Sequence, residues 1–184
     1  VTIGKISGNV PVLQMGGLAE QYFAFGWNTS WVIMYDRLNI MTQFHKGLQS
    51  IMQLMLHAAT FVSSTIPELL EGPQRTYQAQ EIMPKVRKNA DTLCEGLQKL
   101  EKFIKGIKPQ GGFSMLALLN FESFKDITNE EEFVEKLYTE ESVLVLPSRI
   151  YHFKGAVRFV TCLHEEVYPE MLKRLENFCN NHAK

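Results

Sequence analysis

No stretch of this chain is apolar for long enough to cross a membrane. The densest run, which begins at Tyr22, is closed by Asp36 and Arg37, short of the roughly 18–20 uncharged residues that a spanning helix needs. Cysteine is scarce and unpatterned: Cys94, Cys162 and Cys179 are three, an odd number, with no CxxC spacing. That argues against a disulfide framework and a structural zinc site, and places the chain in a reducing, cytoplasmic compartment. An excess of one charge is missing too. With 19 basic and 20 acidic residues the net charge is −1, so no global field draws nucleic acid or an anionic membrane surface. His45, His57, His152, His164 and His182 are scattered without metal-ligand spacing and read as surface or packing residues. There is no phosphate loop, no HExxH and no GxSxG. The sequence starts at Val1 without an initiator methionine, which leaves open a processed product or a part of a longer polypeptide.

What is present suits a folded globule: 184 residues with 45% hydrophobic content are ample for a buried core. Residues 10–15 read as a short strand ending at a turn over Gly16-Gly17, and residues 31–35 as a second; both are expected to be buried. Apolar residues at three- and four-residue steps predict one amphipathic helix over about 39–63, with its methionines in the core. Thr65-Ile-Pro-Glu68 has the form of a capping box that starts a short helix ending near Gly72. A longer helix follows over about 76–100, and Pro84 should kink or interrupt it. From Gly112 the pattern is β-α-β-β-α, with strands over 112–121, 142–146 and 156–161, a capping box at Thr128-Asn-Glu-Glu131 and a terminal helix over 168–182. The fold class expected is α/β followed by α+β.

Few residues carry chemistry on composition alone. Glu130, Glu131 and Glu132 read as acids at a helix N-terminus, favoured there by the macrodipole. Lys85, Arg87 and Lys88 read as the solvated face of their helix. Arg158 has two readings. Alternation puts it on the opposite face from Val157 and Phe159, where it is either a solvent-facing strand residue or a fork of donors for a carboxylate.

Taken together, Val10-Pro-Val-Leu, Gly16-Gly-Leu-Ala, Gly26-Trp, Trp31-Val-Ile-Met-Tyr-Asp-Arg37, Gly111-Gly-Phe-Ser-Met115, Glu141-Ser-Val-Leu-Val-Leu-Pro147 and Val157-Arg-Phe-Val-Thr161 carry a resemblance. In their order and spacing they resemble the C-terminal part of the class I/II (fold type I) pyridoxal-phosphate-dependent aminotransferases, closest to the tyrosine aminotransferase branch, over nearly the whole chain. The resemblance implies the end of a large cofactor domain at 1–72, a bent interdomain helix at 73–100 and a small C-terminal domain at 101–184. It implies amino-group transfer between an aromatic amino acid and a 2-oxo acid.

The same resemblance shows two departures. The family places the Schiff-base lysine directly after Gly-Gly-Leu-Ala, where this chain has Glu20. It places an arginine for the cofactor phosphate in Gly-Trp-Arg-x-Gly-Trp, where this chain has Asn28. A carboxylate cannot form an imine and repels a phosphate, and Asn28 has neither charge nor fork. Arg158 falls on the family arginine that grips the substrate α-carboxylate. Pyridoxal phosphate is therefore the cofactor by family, with no binding expected by this chain alone. No catalytic residue and no metal ligand is assigned. The glycine-bearing phosphate turn, the stacking aromatic, the Asn and the Asp-x-x-Tyr of the family have no counterpart before Val10. Expected partners are a small carboxylate or amino acid and either a second copy or a missing N-terminal half. A non-catalytic module using Arg158 and an exposed sheet edge is the alternative.

Overall fold

The computed structural model describes residues 2–54 and 59–184, without the side chains of Glu20, Gln74 and Arg75. The chain divides into a first unit, up to Gln78, and a second, Ala79–Lys184.

The first unit opens with α1 (Ile3–Ile6) and β1 (Val12–Gly17), followed by α2 (Leu18–Tyr22), a 3-10 turn at Phe25–Trp27 and β2 (Ser30–Tyr35). The two strands pair antiparallel, from Val12 opposite Tyr35 to Gly17 opposite Ser30. Gly16 and Gly17 are strand residues, not the expected turn. A Cβ on Gly16 would lie 2.6 Å from Nε1 of the Trp31 indole, so the close cross-strand approach of that ring requires glycine. The strands are not buried as expected: Met15 is 81% and Val32 51% exposed.

Arg37 closes the start of this unit. Its guanidinium donates to the carbonyls of Gly8 at 2.7 Å and Gly4 at 3.3 Å. Asp36 accepts from the backbone N–H groups of Ile40 at 3.1 Å and Met41 at 2.7 Å, just ahead of α3 (Thr42–Leu54). The single helix expected over 39–63 is thus shorter at both ends. Residues 55–58 lie outside the described part, and a separate α4 (Thr60–Glu71) follows. The methionine expected in the core at Met52 is 57% exposed. Periodicity gives the stripe, and among the described residues of this unit its Phe44 and Ile51 are also left 45% and 52% exposed. Thr65 does not start a helix: it sits inside α4, where its hydroxyl donates back to Val62 O at 2.8 Å. Gly72 ends α4 as expected, its N–H bonded to Glu68 O at 2.7 Å. Pro84 also behaves as its chemistry predicts. After α5 (Gln74–Tyr77) and a wide π-type turn at Gln78–Ile82, α6 (Met83–Gln98) starts with Pro84 in its first turn, where the missing N–H is not needed.

The second unit continues from α6 with β3 (Ile104–Ile107), β4 (Ser114–Leu119), α7 (Glu130–Glu141), β5 (Leu146–Pro147), β6 (Ala156–Val160) and α8 (Val167–Asn181). The expected β-α-β-β-α order holds from β4. The sequence pattern missed β3, which pairs with β4 to complete an antiparallel sheet of order β3-β4-β6-β5. The strand expected over 142–146 shrinks to Leu146–Pro147, because Ser142 is the left-handed cap of α7. The capping box is one residue off: the Asn129 side chain accepts from Glu132 N at 2.9 Å, and Glu132 reaches back to Thr128 N at 2.8 Å.

One face of this sheet carries the core. Met115, Ala117, Val157 and Phe159 pack with Leu93 and Leu97 of α6, Phe133 and Leu137 of α7, and Leu175 and Phe178 of α8, all at most 1% exposed. Burying each of the larger side chains contributes roughly 1.5–3 kcal/mol. The rings of Phe124, Phe133 and Phe178 follow one another at 5.8 and 5.3 Å. The opposite face holds Arg158.

Candidate functional site

The connection between β1 and β2 is the first candidate, because it holds Glu20 and Asn28. Its ends are tied by Leu18 N donating to Thr29 O at 3.0 Å. Between them α2 carries Glu20 in its backbone, while the Glu20 side chain lies outside the described residues. Phe23 caps α2 in the left-handed region at φ 55, and Asn28 follows the 3-10 turn in the same region at φ 47. Asparagine tolerates that conformation better than most residues. Asn28 is exposed and uncharged. The buried Thr29 spends its hydroxyl on Trp27 O at 3.0 Å.

The donor set here does not fit the phosphate of pyridoxal phosphate. From residue 6 to residue 45 the sequence contains no lysine and a single arginine, Arg37. That guanidinium is already engaged by Gly8 O and Gly4 O. Residues 6–45 thus bring to this turn no lysine amine that could form an imine, and no cation other than Arg37 for a phosphate.

Arg158 is the second candidate and belongs to the second unit. In β6 it pairs in register with Leu116 of β4 and Leu146 of β5, so two leucines flank it on the face away from the core. The facing expected from alternation is observed: Val157 and Phe159 are buried and Arg158 is partly exposed. Among the described residues it is neither a freely solvated strand arginine nor one half of an ion pair. Its Nε is closed to water and without an acceptor. Its Cζ lies 4.8 Å from the centroid of the Tyr151 ring. Among the described residues no acceptor takes a hydrogen bond from the guanidinium, and the terminal nitrogens are not among the groups closed to water. Free N–H groups on a partly desolvated guanidinium are chemically able to donate to a carboxylate.

The strand that carries Arg158 is anchored beyond its end. The buried Asn89 amide of α6 donates to Thr161 O at 3.0 Å and Leu163 O at 2.9 Å. The Tyr168 hydroxyl of α8 donates to Val160 O and accepts from Leu163 N, both at 3.2 Å. Burial pushes that phenol above its ordinary pKa, as suits a structural hydroxyl. Sequence reasoning found neither anchor, nor Tyr151. Asn89 could have been suspected as a polar residue on an apolar helix face, whereas the partnership of Tyr151 with Arg158 depends on the fold of a loop.

Other titratable groups are structural. Burial pushes the Cys179 thiol up to about 12 and raises that of Cys162, so neither is a ready thiolate. Glu130, Glu131 and Glu132 form the first turn of α7 as expected. His182 is a packing residue after all. Its ring is tilted against that of Phe178, centroids 4.4 Å apart, and set between Asp126 at 2.7 Å and Glu140 at 2.9 Å. Among the described residues no cluster of metal ligands forms, and no helix is long and apolar enough to cross a membrane.

The chain belongs to the class I and II aminotransferases, whose family profile matches residues 2–175. It is similar to tyrosine aminotransferase of Mus musculus, 30% identical over 182 residues that make up 98% of this chain and 39% of that protein. The tyrosine aminotransferase of Homo sapiens is 28% identical over the same share of each. The crystal structure of tyrosine aminotransferase from Leishmania infantum superposes with a TM-score of 0.84 at 29% identity, over 96% of this chain and 43% of that one. The fold is shared more widely, with a TM-score of 0.84 to alanine aminotransferase from Pyrococcus furiosus at 24% identity. The chain spans about two fifths of the length of the curated relatives it matches.

Proposed function

We propose that this chain is a segment of a tyrosine-aminotransferase-like protein that has lost the cofactor chemistry of its family and kept the grip on a carboxylate. The observation that carries this reading is the run of forty residues, 6 to 45, with no lysine and one arginine, itself bonded to Gly8 O and Gly4 O, across the turn where imine and phosphate contacts belong. The family activity, amino-group transfer between an aromatic amino acid and a 2-oxo acid, then does not proceed through an amine of this turn. Arg158 supports binding of a small carboxylate, an amino acid or a 2-oxo acid. Its partly buried fork has free donors, and a charge-assisted hydrogen bond in such a place contributes about 1.5–3 kcal/mol.

The test is calorimetric titration of the chain with 3-phenylpropionate. Arg158→Ala is expected to weaken binding by about 1.5–3 kcal/mol, roughly tenfold to 150-fold. Equal affinity in the variant removes Arg158 from the reading.

A second reading has its own support. Met15 and Val32 on the β1–β2 pair and Phe61 on α4, at 79% exposure, present apolar surface of the kind that marks an interface. The occupant is a second copy of this chain or an upstream half of the large domain. Sedimentation of the chain from dilute to concentrated solution separates them, since only self-association depends on its own concentration.

A further inference from the structure

We propose that Tyr151 is the positioning residue of the carboxylate grip, its ring holding the Arg158 guanidinium in the orientation that meets a carboxylate; this role rests on the carboxylate reading above. The separation of 4.8 Å from Arg158 Cζ to the ring centroid lies within the roughly 6 Å over which a cation is drawn to an aromatic face. Among the described residues no hydrogen bond or ion pair competes for the guanidinium, so the ring is its directional contact. A carboxylate is held bidentately only by a fork in one orientation, and an arginine without a partner samples many.

The loop that presents Tyr151 is built to stay in place. Tyr151 closes the 3-10 turn Ser148–Tyr151, and His152 follows in the left-handed region at φ 57. Ser148 is 1% exposed. Its hydroxyl donates to Phe153 O at 2.6 Å and accepts from Ala156 N at 3.2 Å, while Phe153 N donates to Ser148 O at 3.3 Å. One buried hydroxyl therefore ties both ends of the loop to the first residue of β6, two residues before Arg158. Arg149 adds an external brace through Glu131, with both carboxylate oxygens at 3.0–3.1 Å from Nη1. Yet Tyr151 itself is 50% exposed, too open to be a core residue. A rigid loop holding a half-open ring against an otherwise unheld cation fixes the geometry of that cation.

The test uses the chain labelled with nitrogen-15 arginine and titrated with 3-phenylpropionate. It reads the Arg158 Nε–H signal, assigned by its loss in Arg158→Lys. In the free wild type the ring current should shift that signal upfield of ordinary arginines, and the ligand should move it saturably. Tyr151→Phe keeps the ring and should hold the Kd within about twofold, whereas Tyr151→Leu should weaken it by about threefold to tenfold and abolish the upfield shift. Wild-type affinity in Tyr151→Leu overturns the positioning role and leaves the carboxylate grip standing. A wild-type signal without the upfield shift overturns the stack whether or not either variant folds. A wild-type signal that the ligand never moves overturns both the grip and the role built on it. Tyr151→Phe as weak as Tyr151→Leu, with unfolding midpoints unchanged, transfers the effect to the phenol hydroxyl and overturns the role of the ring.

Discussion

Replacing Asn89 by alanine cuts the tie between α6 and the exit of the strand that holds Arg158, and its cost can be worked from the two bonds lost. The single side-chain NH2 serves two carbonyls, Thr161 O at 3.0 Å and Leu163 O at 2.9 Å, in a site where Asn89 is 4% exposed. The bond to Thr161 is buried, so its acceptor has no ready replacement and the loss costs about 1–3 kcal/mol. The bond to Leu163 is only partly buried; water can serve that carbonyl, and the loss is nearer about 0.5–1 kcal/mol. A total of about 1.5–4 kcal/mol is expected. Urea unfolding read by hydrogen exchange on peptides from Ala79–Lys184 measures it without interference from the first unit. Asn89→Asp sharpens the result. It keeps the size but turns acceptor oxygens toward two carbonyls, so it should be at least as destabilising as alanine. Asn89→Asp within about 0.5 kcal/mol of wild type refutes the hydrogen-bond account, since only a packing role tolerates that exchange.

Two further outcomes follow from local geometry. Hydrogen bonds from Lys136 and then His182 hold the Asp126 carboxyl at about 2, below its ordinary 3.8. Because the folded value is the lower one, the stabilisation is fully present above the ordinary value and is lost as pH falls through about 2. Acid unfolding of the second unit should shift toward neutral pH in Asp126→Asn, and an unchanged acid limb counts against the clasp. Gly16→Ala drives a methyl into the Trp31 indole, an overpacking of about 1–3 kcal/mol that should largely vanish in a Trp31→Val background. An equal cost in both backgrounds, measured by urea unfolding, removes that ring as the cause.

The frame of this fold is written in short-range chemistry, which is why so much of it was legible. The β-α-β-β-α order and the alternation around Arg158 follow from hydrophobic periods, and Pro84 signals through its missing N–H the interruption seen just ahead of it. Departures arise where a second element decides the outcome. Gly16 looks like a turn until Trp31 packs across it. Thr65 looks like a cap, although the helix already starts at Thr60. The stripe that includes Met52 was legible, but whether anything covers it was not. At the site, Glu20 and Asn28 could be read from the sequence as departures from the family pattern because each belongs to a local motif. Tyr151 could not, because the loop that brings it to β6 is set by Ser148, and Asn89 showed only as a polar residue on an apolar helix face, its partners being fixed by the packing of α6.

The most direct test of the central claim is a titration of the chain with pyridoxal phosphate, followed in visible absorbance, then reduced with borohydride and mapped by peptide mass spectrometry. No saturable visible band at micromolar cofactor, and no peptide labelled in proportion to protein, is the predicted result. A tight band at one cofactor per chain with a single labelled lysine contradicts it, and would show that an amine far in sequence from Gly16-Gly-Leu-Ala has taken over at the turn where Glu20 stands.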